Sequence, residues 1–465
     1  MNFKKYLSLV AFATLTLTSY AQVYNYNDLG ILFSKDDKRA TARFNAISGA
    51  FGALGGDISS TTINPAGAAV AKLSNISVTG TGYQFQHTTN YYGESSTFET
   101  NNFRIPQIGA MFVFKPNRKS DWNKSAIYFN FRNKSNFNLN YQVESSVAIE
   151  PYYNEIQIEE NDGSLTTYLF DRGLDQIVIN SISGRSNVFD FGFSTVHKNK
   201  LHLGAAIKFH QIEFSQNEIF NEVNDDLPDT DENLGLFGNI LDAQETTLVD
   251  IYGGGVSLSL GFIYKLNQHL RLGLSYETPT YYSRLIEDYE KEIDILEIES
   301  LGIDIPTEIN GSYGNILRFK SPRVITASGA VVFGKKGLIS ADFTHKNYTS
   351  IYYSGTDFTD VNDNFVNNYR DTYNLNVGTE WRFDNFSIRG GASYEKDPNL
   401  VEGGGTNVDN IKGYSLGLGY NFGKTSFDLS YNNTDNINYY SIYNTSDLTI
   451  DKKLTQISGT LTINL

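Results

Sequence analysis

The chain contains no cysteine. Disulfides, thiol nucleophiles and Cys-ligated metals are therefore excluded. Tryptophan and methionine occur twice each, and proline nine times in 465 residues. No later stretch reaches the 18 or more apolar residues of a transmembrane helix. The six histidines, His87, His197, His202, His210, His269 and His345, form no ligand pair on one local element, so no metal and no cofactor are expected. Lys and Arg number 37 against 52 Asp and Glu, a formal charge of −15. Such acidity argues against nucleic acid as a partner. What the chain has in abundance is 31 Tyr, 31 Phe and 40 Gly, a β-rich profile.

The opening "MNFKKYLSLVAFATLTLTSYAQ" has a charged n-region at Lys4 and Lys5, an apolar stretch and a small-x-small site at Ser19-Tyr20-Ala21. This reads as a secretory signal peptide over 1–21, removed before Gln22 on Sec-type export. No Cys follows the cut, so a lipoprotein anchor is not expected.

From residue 74 the pattern changes to alternation. In "VSLSLGFIY", Val256, Leu258, Leu260, Phe262 and Tyr264 share one face, opposite Ser257, Ser259 and Gly261. The next segment puts Leu270, Leu272, Leu274 and Tyr276 opposite Arg271, Gly273 and Ser275. Fourteen such segments follow, near 74–87, 103–115, 124–147, 186–197, 200–214, 252–266, 268–278, 321–333, 337–347, 370–383, 385–396, 411–422, 424–432 and 453–465. Short connections alternate with long ones, the long ones at 88–102, 148–185, 215–251, 279–320, 348–369, 397–410 and 433–452. A sandwich has no reason to gather its long loops at one end, whereas an outer-membrane barrel does. Segments of about ten residues suit a tilted crossing of ~25 Å of hydrocarbon. Tyr264, Tyr276, Tyr394, Tyr420, Tyr431 and Trp381 stand near segment ends, where aromatic girdles belong. The fold class expected is all-β: a 14-stranded antiparallel transmembrane barrel over 74–465, monomeric, in contact with outer-membrane lipids.

Residues 22–73 do not alternate. "FNAISGAFGALGGDISSTTINPAGAA" is small and glycine-rich, with few large apolar groups to fold around alone. A fourteen-strand barrel has a lumen too wide for its own side chains, so this segment is expected to plug it. Asn64 is placed to cap a short helix with Pro65 at its first position and Ala66 following. Gly49, Gly52, Gly55 and Gly56 are expected to let the plug approach the wall.

An export signal, a small segment with Asn64-Pro65-Ala66 just before the first strand, and fourteen strands together resemble the FadL-type outer-membrane transporters of long-chain fatty acids and other hydrophobic compounds. "GAFGALGGDISSTTINPAGAA" looks especially like the hatch of their Bacteroidetes members. The resemblance implies an N-terminal hatch that packs and gates, passive uptake of a hydrophobic small molecule, and no enzymatic step. It also implies an outer-loop groove after strands five and seven. Two segments there, 234–241 and 285–298, have apolar residues at helical spacing: Leu234, Phe237 and Leu241, then Leu285, Tyr289 and Leu296. Mutual packing of the two loops is the plainer reading of the same pattern. The family's third strand carries an inward kink with a lateral opening. Asn133 and Ser135 interrupt the apolar register there, although the strand could simply leave the membrane at that point. Arg132 or Lys134 is placed to meet a ligand carboxylate.

Two motifs are set aside. "GYSLG" at 413–417 matches G-x-S-x-G but lies in an alternating segment, not a strand–turn–helix elbow. The acidic run 224–233 lacks EF-hand spacing. The alternative to uptake is a FadL-like barrel serving protein secretion, of the PorV type in type IX secretion, with the acidic outer loops as its protein-binding surface.

Overall fold

The computed structural model describes residues 24–465 apart from 38–39, 118–119, 148–150, 152–154, 160–164, 171, 226–239, 299–306, 401–409 and 441–447. Fourteen antiparallel strands close into one barrel. They are β1 (Asn75–Tyr91), β2 (Glu94–Phe114), β3 (Trp122–Asn136, resumed at Leu139–Ser145), β4 (Arg172–His197), β5 (Leu201–Asp225) and β6 (Ile240–Lys265). Next come β7 (Leu270–Glu277, resumed at Tyr281–Ile298), β8 (Thr307–Lys320, resumed at Val324–Phe333) and β9 (Gly337–Lys346). The last five are β10 (Thr372–Phe383), β11 (Phe386–Glu395), β12 (Ile411–Asn421), β13 (Thr425–Tyr440) and β14 (Leu448–Asn464). Pairing of β1 with β14 over Asn75–Tyr91 and Leu448–Asn464 closes the ring, which removes the last free edge.

Alternation decides which face meets lipid. On β6, Val256, Leu258 and Leu260 point outward and are 38%, 52% and 57% exposed, while Ser257 and Ser259 point inward and are buried. On β14, Ile463, Leu461 and Ile457 form the outward series, and Thr455 and Lys453 follow where the apolar band ends. A closed sheet with a continuous outward apolar band satisfies its backbone within hydrocarbon, so this is a membrane-spanning β-barrel.

The expected long connections are mostly strand instead. β1 and β2 run on to a two-residue turn at Tyr92-Gly93. β4, β5 and β6 have 26, 25 and 26 residues. About ten suffice to cross the membrane, so one side of the barrel continues as a tall wall beyond the apolar band. Residues 285–298 belong to β7 and pair with β6 from Leu241 to Gly253, which corrects the helix expected there. The reason is visible in the ladder: Leu285, Tyr289 and Ile293 are four apart, and even spacing keeps them on one strand face just as it would approximate a helix stripe.

Interruptions in β7 and β8 have proline as their cause. Pro279 and Pro322 lack the N–H a ladder needs. Side chains stand in: Leu258 N donates to Thr278 Oγ1 (3.0 Å) and Thr280 N to Ser321 Oγ (2.9 Å). In β3 the register with β4 slips between Asn133 and Ser135, and the strand is broken at Phe137-Asn138.

The N-terminal segment holds α1 (Tyr26–Ser34), α2 (Ala42–Asn45) and two 3-10 helices, Ile58–Thr62 and Pro65–Val70. Its partners lie on strands right around the ring: Thr460 on β14, Asn432 on β13, Glu380 on β10, Asp342 on β9, Lys208 on β5 and Lys124 on β3. These contacts reach inward-facing side chains on six strands.

Candidate functional site

Residues 40–71 are fixed to the wall. Arg43 pairs with Glu380 at 2.7 Å, Glu380 with Arg389 at 2.7 Å, and Arg389 with Asp428 at 2.6 Å. Gly52 N donates to Asp342 Oδ2 (2.9 Å). Ser415 Oγ donates to the Ala46 carbonyl and Asn432 Nδ2 to that of Asn45. The wall admits this segment through its own glycines. A Cβ at Gly204 would lie 2.3 Å from Ala66 N, at Gly378 2.5 Å from Ile47, and at Gly391 2.6 Å from the Ile47 carbonyl carbon. Phe44 and Phe51 stack at 5.4 Å and are fully buried.

Asn64 caps the turn beginning at Pro65, accepting from Ala66 N at 3.1 Å. The turn is a 3-10 helix. Asn64 Nδ2 also donates to the Gly52 and Phe262 carbonyls (2.9 and 3.0 Å), tying the turn to the rest of the segment and to β6. Gly55 and Gly56, at φ +64° and +81°, fold the segment back on Val70 and Gly67 rather than approaching the wall, which corrects the role expected of them. That conformation is open mainly to glycine. Of the plug glycines, Gly52 is in contact with the wall, at Ser328 and Asp342.

Residues 24–37 are seated differently. The α1 helix packs under the outer connection between β9 and β10, where α3 (Thr359–Asn367) lies. Tyr26 meets Phe358 edge-on at 5.0 Å, Asn27 Nδ2 donates to the Val361 carbonyl while Asn27 Oδ1 accepts from Asn364 Nδ2, and a Cβ on Gly30 would lie 2.6 Å from Phe365. At the end of α1 the chain grips the irregular part of β3. Arg132 forms a two-point pair with Asp36 at 2.6 and 2.8 Å. Asp37 accepts from Ser135 Oγ and Asn136 N at 3.2 and 3.1 Å, and its own N–H donates to the Lys134 carbonyl. Burial pushes the Asp36 carboxyl up, but the Arg132 guanidinium outweighs it and holds the group well below the usual carboxylate range. Burial raises Asp28 to about 6, opposed by the Asn25 hydrogen bond.

Next to this grip two neighbouring strands of the wall are not hydrogen-bonded to each other. β2 pairs with β3 only over Gln107–Phe114 and Ser125–Arg132. Above that height β2 pairs with β1 alone and the resumed part of β3 with β4 alone. Pro106, with no N–H to offer, stands where the pairing stops, and Phe103 and Ile105 beside it are 71% and 53% exposed. Two cavities meet at Asp36. One, about 100 Å³, is lined by Phe44, Ile63, Lys134, Thr280 and Lys346. The other, about 200 Å³, is lined by Leu32, His87, Phe137, Leu139 and Lys452 and reaches the break in β3.

Arg132, Asn133, Lys134 and Ser135 thus converge; Arg132 is engaged by Asp36, whereas Lys134, which donates one bond to the Phe33 carbonyl (3.4 Å), lines the smaller cavity. Leu241 and Leu285 are buried in one apolar cluster with Phe33, Phe137 and Phe214, and Tyr289 stacks on Tyr313 at 4.8 Å. Leu241 and Leu285 are not level: Leu241 pairs with Ile298, and Leu285 with Gly253 lower on the same strands. Leu296 lies in β7, and Leu234 and Phe237 lie outside the described residues, so no helical groove forms among the described ones. Sequence reasoning missed Asp36, Asp37 and Arg43. Their signal, the charged run Lys35-Asp36-Asp37-Lys38-Arg39 followed by Arg43, was present.

The fold defines a class: a closed fourteen-strand antiparallel membrane barrel. Solved structures share that fold. A FadL homologue from Pseudomonas aeruginosa superposes with a TM-score of 0.56 at 14% identity, over 91% of this chain and 98% of its own. The Pseudomonas putida toluene transporter TodX gives 0.56 at 15%, over 93% and 100%, and the monoaromatic hydrocarbon channel CymD 0.54 at 12%, over 92% and 97%. These neighbours are transport channels, not enzymes. No family model and no curated protein matches the sequence.

Proposed function

We propose that the chain is an outer-membrane channel for passive uptake of hydrophobic small molecules. The observation that carries this reading is the unpaired seam between β2 and β3, set beside two cavities that share Asp36 in their lining. The reported ligands of TodX and CymD, toluene and monoaromatic hydrocarbons, support a hydrophobic cargo. Residues 22–73 are the hatch. Within it, 40–71, with Gly55, Gly56, Asn64, Pro65 and Ala66, is the fixed floor, and 24–37 is the part that moves. A ligand enters among the apolar residues around Leu241, Leu285 and Tyr289, displaces 24–37, and leaves at the seam beside Arg132, Asn133, Lys134 and Ser135. Each step is differential binding, without covalent chemistry.

The test is uptake into liposomes whose outer leaflet is lipopolysaccharide, which slows hydrophobic solutes that a plain phospholipid bilayer passes unaided, with and without the purified barrel. Toluene and a long-chain fatty acid are measured against glucose. Faster entry of either hydrophobic compound with glucose excluded supports the reading, and the pair decides between aromatic and acyl cargo. Equal, slow entry of all three refutes it.

A further inference from the structure

The chain is acidic, yet one rim of the barrel is strongly basic. The six short connections, taken with three strand residues on each side, carry twelve Lys or Arg and two carboxylates, Asp121 and Asp384. Of the chain's 37 basic and 52 acidic residues, this leaves 25 against 50 everywhere else. Each of the six turns contributes: Lys115 and Lys124, Lys198 and Lys200, Lys265 and Arg271, Lys335 and Lys336, Arg382, and Lys424.

Some of these have internal work. Lys124 Nζ donates to the Ala71 carbonyl, Arg271 to that of Leu54, and Arg382 pairs with Glu380. Lys115, Lys198, Lys200, Lys335, Lys336 and Lys424 are exposed at the turns. Lys198 is near Asp121 at 3.6 Å, with both side chains more than half exposed. Five of the six turns also set large apolar side chains at the same height: Phe114 and Trp122, Tyr264 and Leu266, Phe333, Trp381 and Phe383, and Tyr420 and Phe422, all exposed. Aromatic rings of this kind mark the membrane–water boundary.

We propose that this short-turn rim is a binding site for anionic phospholipid headgroups of the leaflet it faces. Basic side chains on every turn, with a carboxylate on only two of them, beside exposed aromatic side chains on five, match a flat anionic surface that surrounds the barrel. A soluble acidic protein would be met by one side of the rim, not by its whole circumference. Each basic side chain near such a surface multiplies affinity by about fivefold, less in salt.

The test uses the purified full-length barrel in detergent with equimolar phosphatidylglycerol and phosphatidylethanolamine. Lipid retained after gel filtration is quantified by mass spectrometry. The parent should enrich phosphatidylglycerol by at least about tenfold, and 0.5 M NaCl should abolish most of that enrichment. Replacing Lys115, Lys198, Lys200, Lys335, Lys336 and Lys424 by Gln should remove it, with folding followed by heat-modifiable gel migration. Arg318→Gln, Arg323→Gln and Lys412→Gln, exposed residues away from this rim, should leave it unchanged. No enrichment by the parent, salt-insensitive enrichment, or undiminished enrichment by the folded six-residue variant would overturn the proposal. So would loss of a co-purifying acidic protein with the lipid ratio unaltered. Uptake plays no part in these readouts, so the channel reading stands or falls separately.

Discussion

Asp36→Asn isolates the hold of the N-terminal segment on β3. The substitution keeps size but removes the charge that Arg132 faces at 2.6 Å and replaces one of the two accepting oxygens by a donor. The Arg132 side chain is only 8% exposed, whereas that of Asp36 is 27% exposed. Removing one partner of a buried pair costs about 3–5 kcal/mol, and the partial exposure of Asp36 places this pair at the low end. About 3 kcal/mol corresponds to a roughly 150-fold rise in the open population of 24–37. Hydrogen exchange with peptide-level mass spectrometry reads that population directly. Amides of α1 should exchange on the order of a hundredfold faster, while those of 42–54, held by Arg43, Asn45 and Gly52, keep the parent rate. The double variant Asp36→Asn/Arg132→Gln should recover much of the protection, because the orphaned charge is gone. Equal acceleration in both regions, or none in either, would refute the division into a fixed floor and a releasable segment.

Other outcomes follow from the same contacts. Asn64→Ala removes the cap and leaves two buried carbonyls without their donor, about 2–3 kcal/mol in all, and should produce a leak of small polar solutes from a barrel that still migrates as folded. Gly391→Val drives a side chain into Ile47 and should displace the floor and raise the same leak, whereas Gly329→Ala, with nothing within 4 Å, should be neutral. The Asp28 carboxyl is raised to about 6, so its neutral form fits the folded site best. Its contribution to seating α1 is complete below the ordinary carboxylate range and lost as pH rises through about 6, so α1 amides should be better protected at pH 5 than at pH 7.5 once intrinsic exchange is corrected. Cys placed at Lys335 should resist an impermeant maleimide on intact cells, and Cys at Glu94, at the opposite end of the barrel, should react. The reverse labelling would invert the orientation.

The barrel was legible because its lipid face obeys a strict period of two, as at Val256, Leu258 and Leu260, and because short turns punctuate it. The tall wall was not, because beyond the membrane the inward positions of the same strands include Glu218, Glu222 and Glu245, and apolar alternation no longer marks them. A helix was inferred at 285–298 because residues four apart share a face in both structures. The cap at Asn64 was readable because it is local, a side chain meeting a backbone two residues on. The grip of Asp36 and Asp37 was not, because its partners lie 96 to 99 residues away. Gly261 and Gly273 were seen as part of the small face of their strands, but nothing local says that Asn64 and Gly52 approach them.

The absence of native cysteine permits a clean test of the route itself. Asp37 and Ser135, whose side chains meet at 3.2 Å, can be replaced together by Cys to lock the movable segment to β3. In liposomes bearing this variant, toluene uptake should be blocked under oxidation and restored to the parent rate by reductant, with folding unchanged. Uptake by the oxidised barrel as fast as by the reduced one would contradict the claim that hydrophobic compounds pass where the N-terminal segment lets go of the third strand.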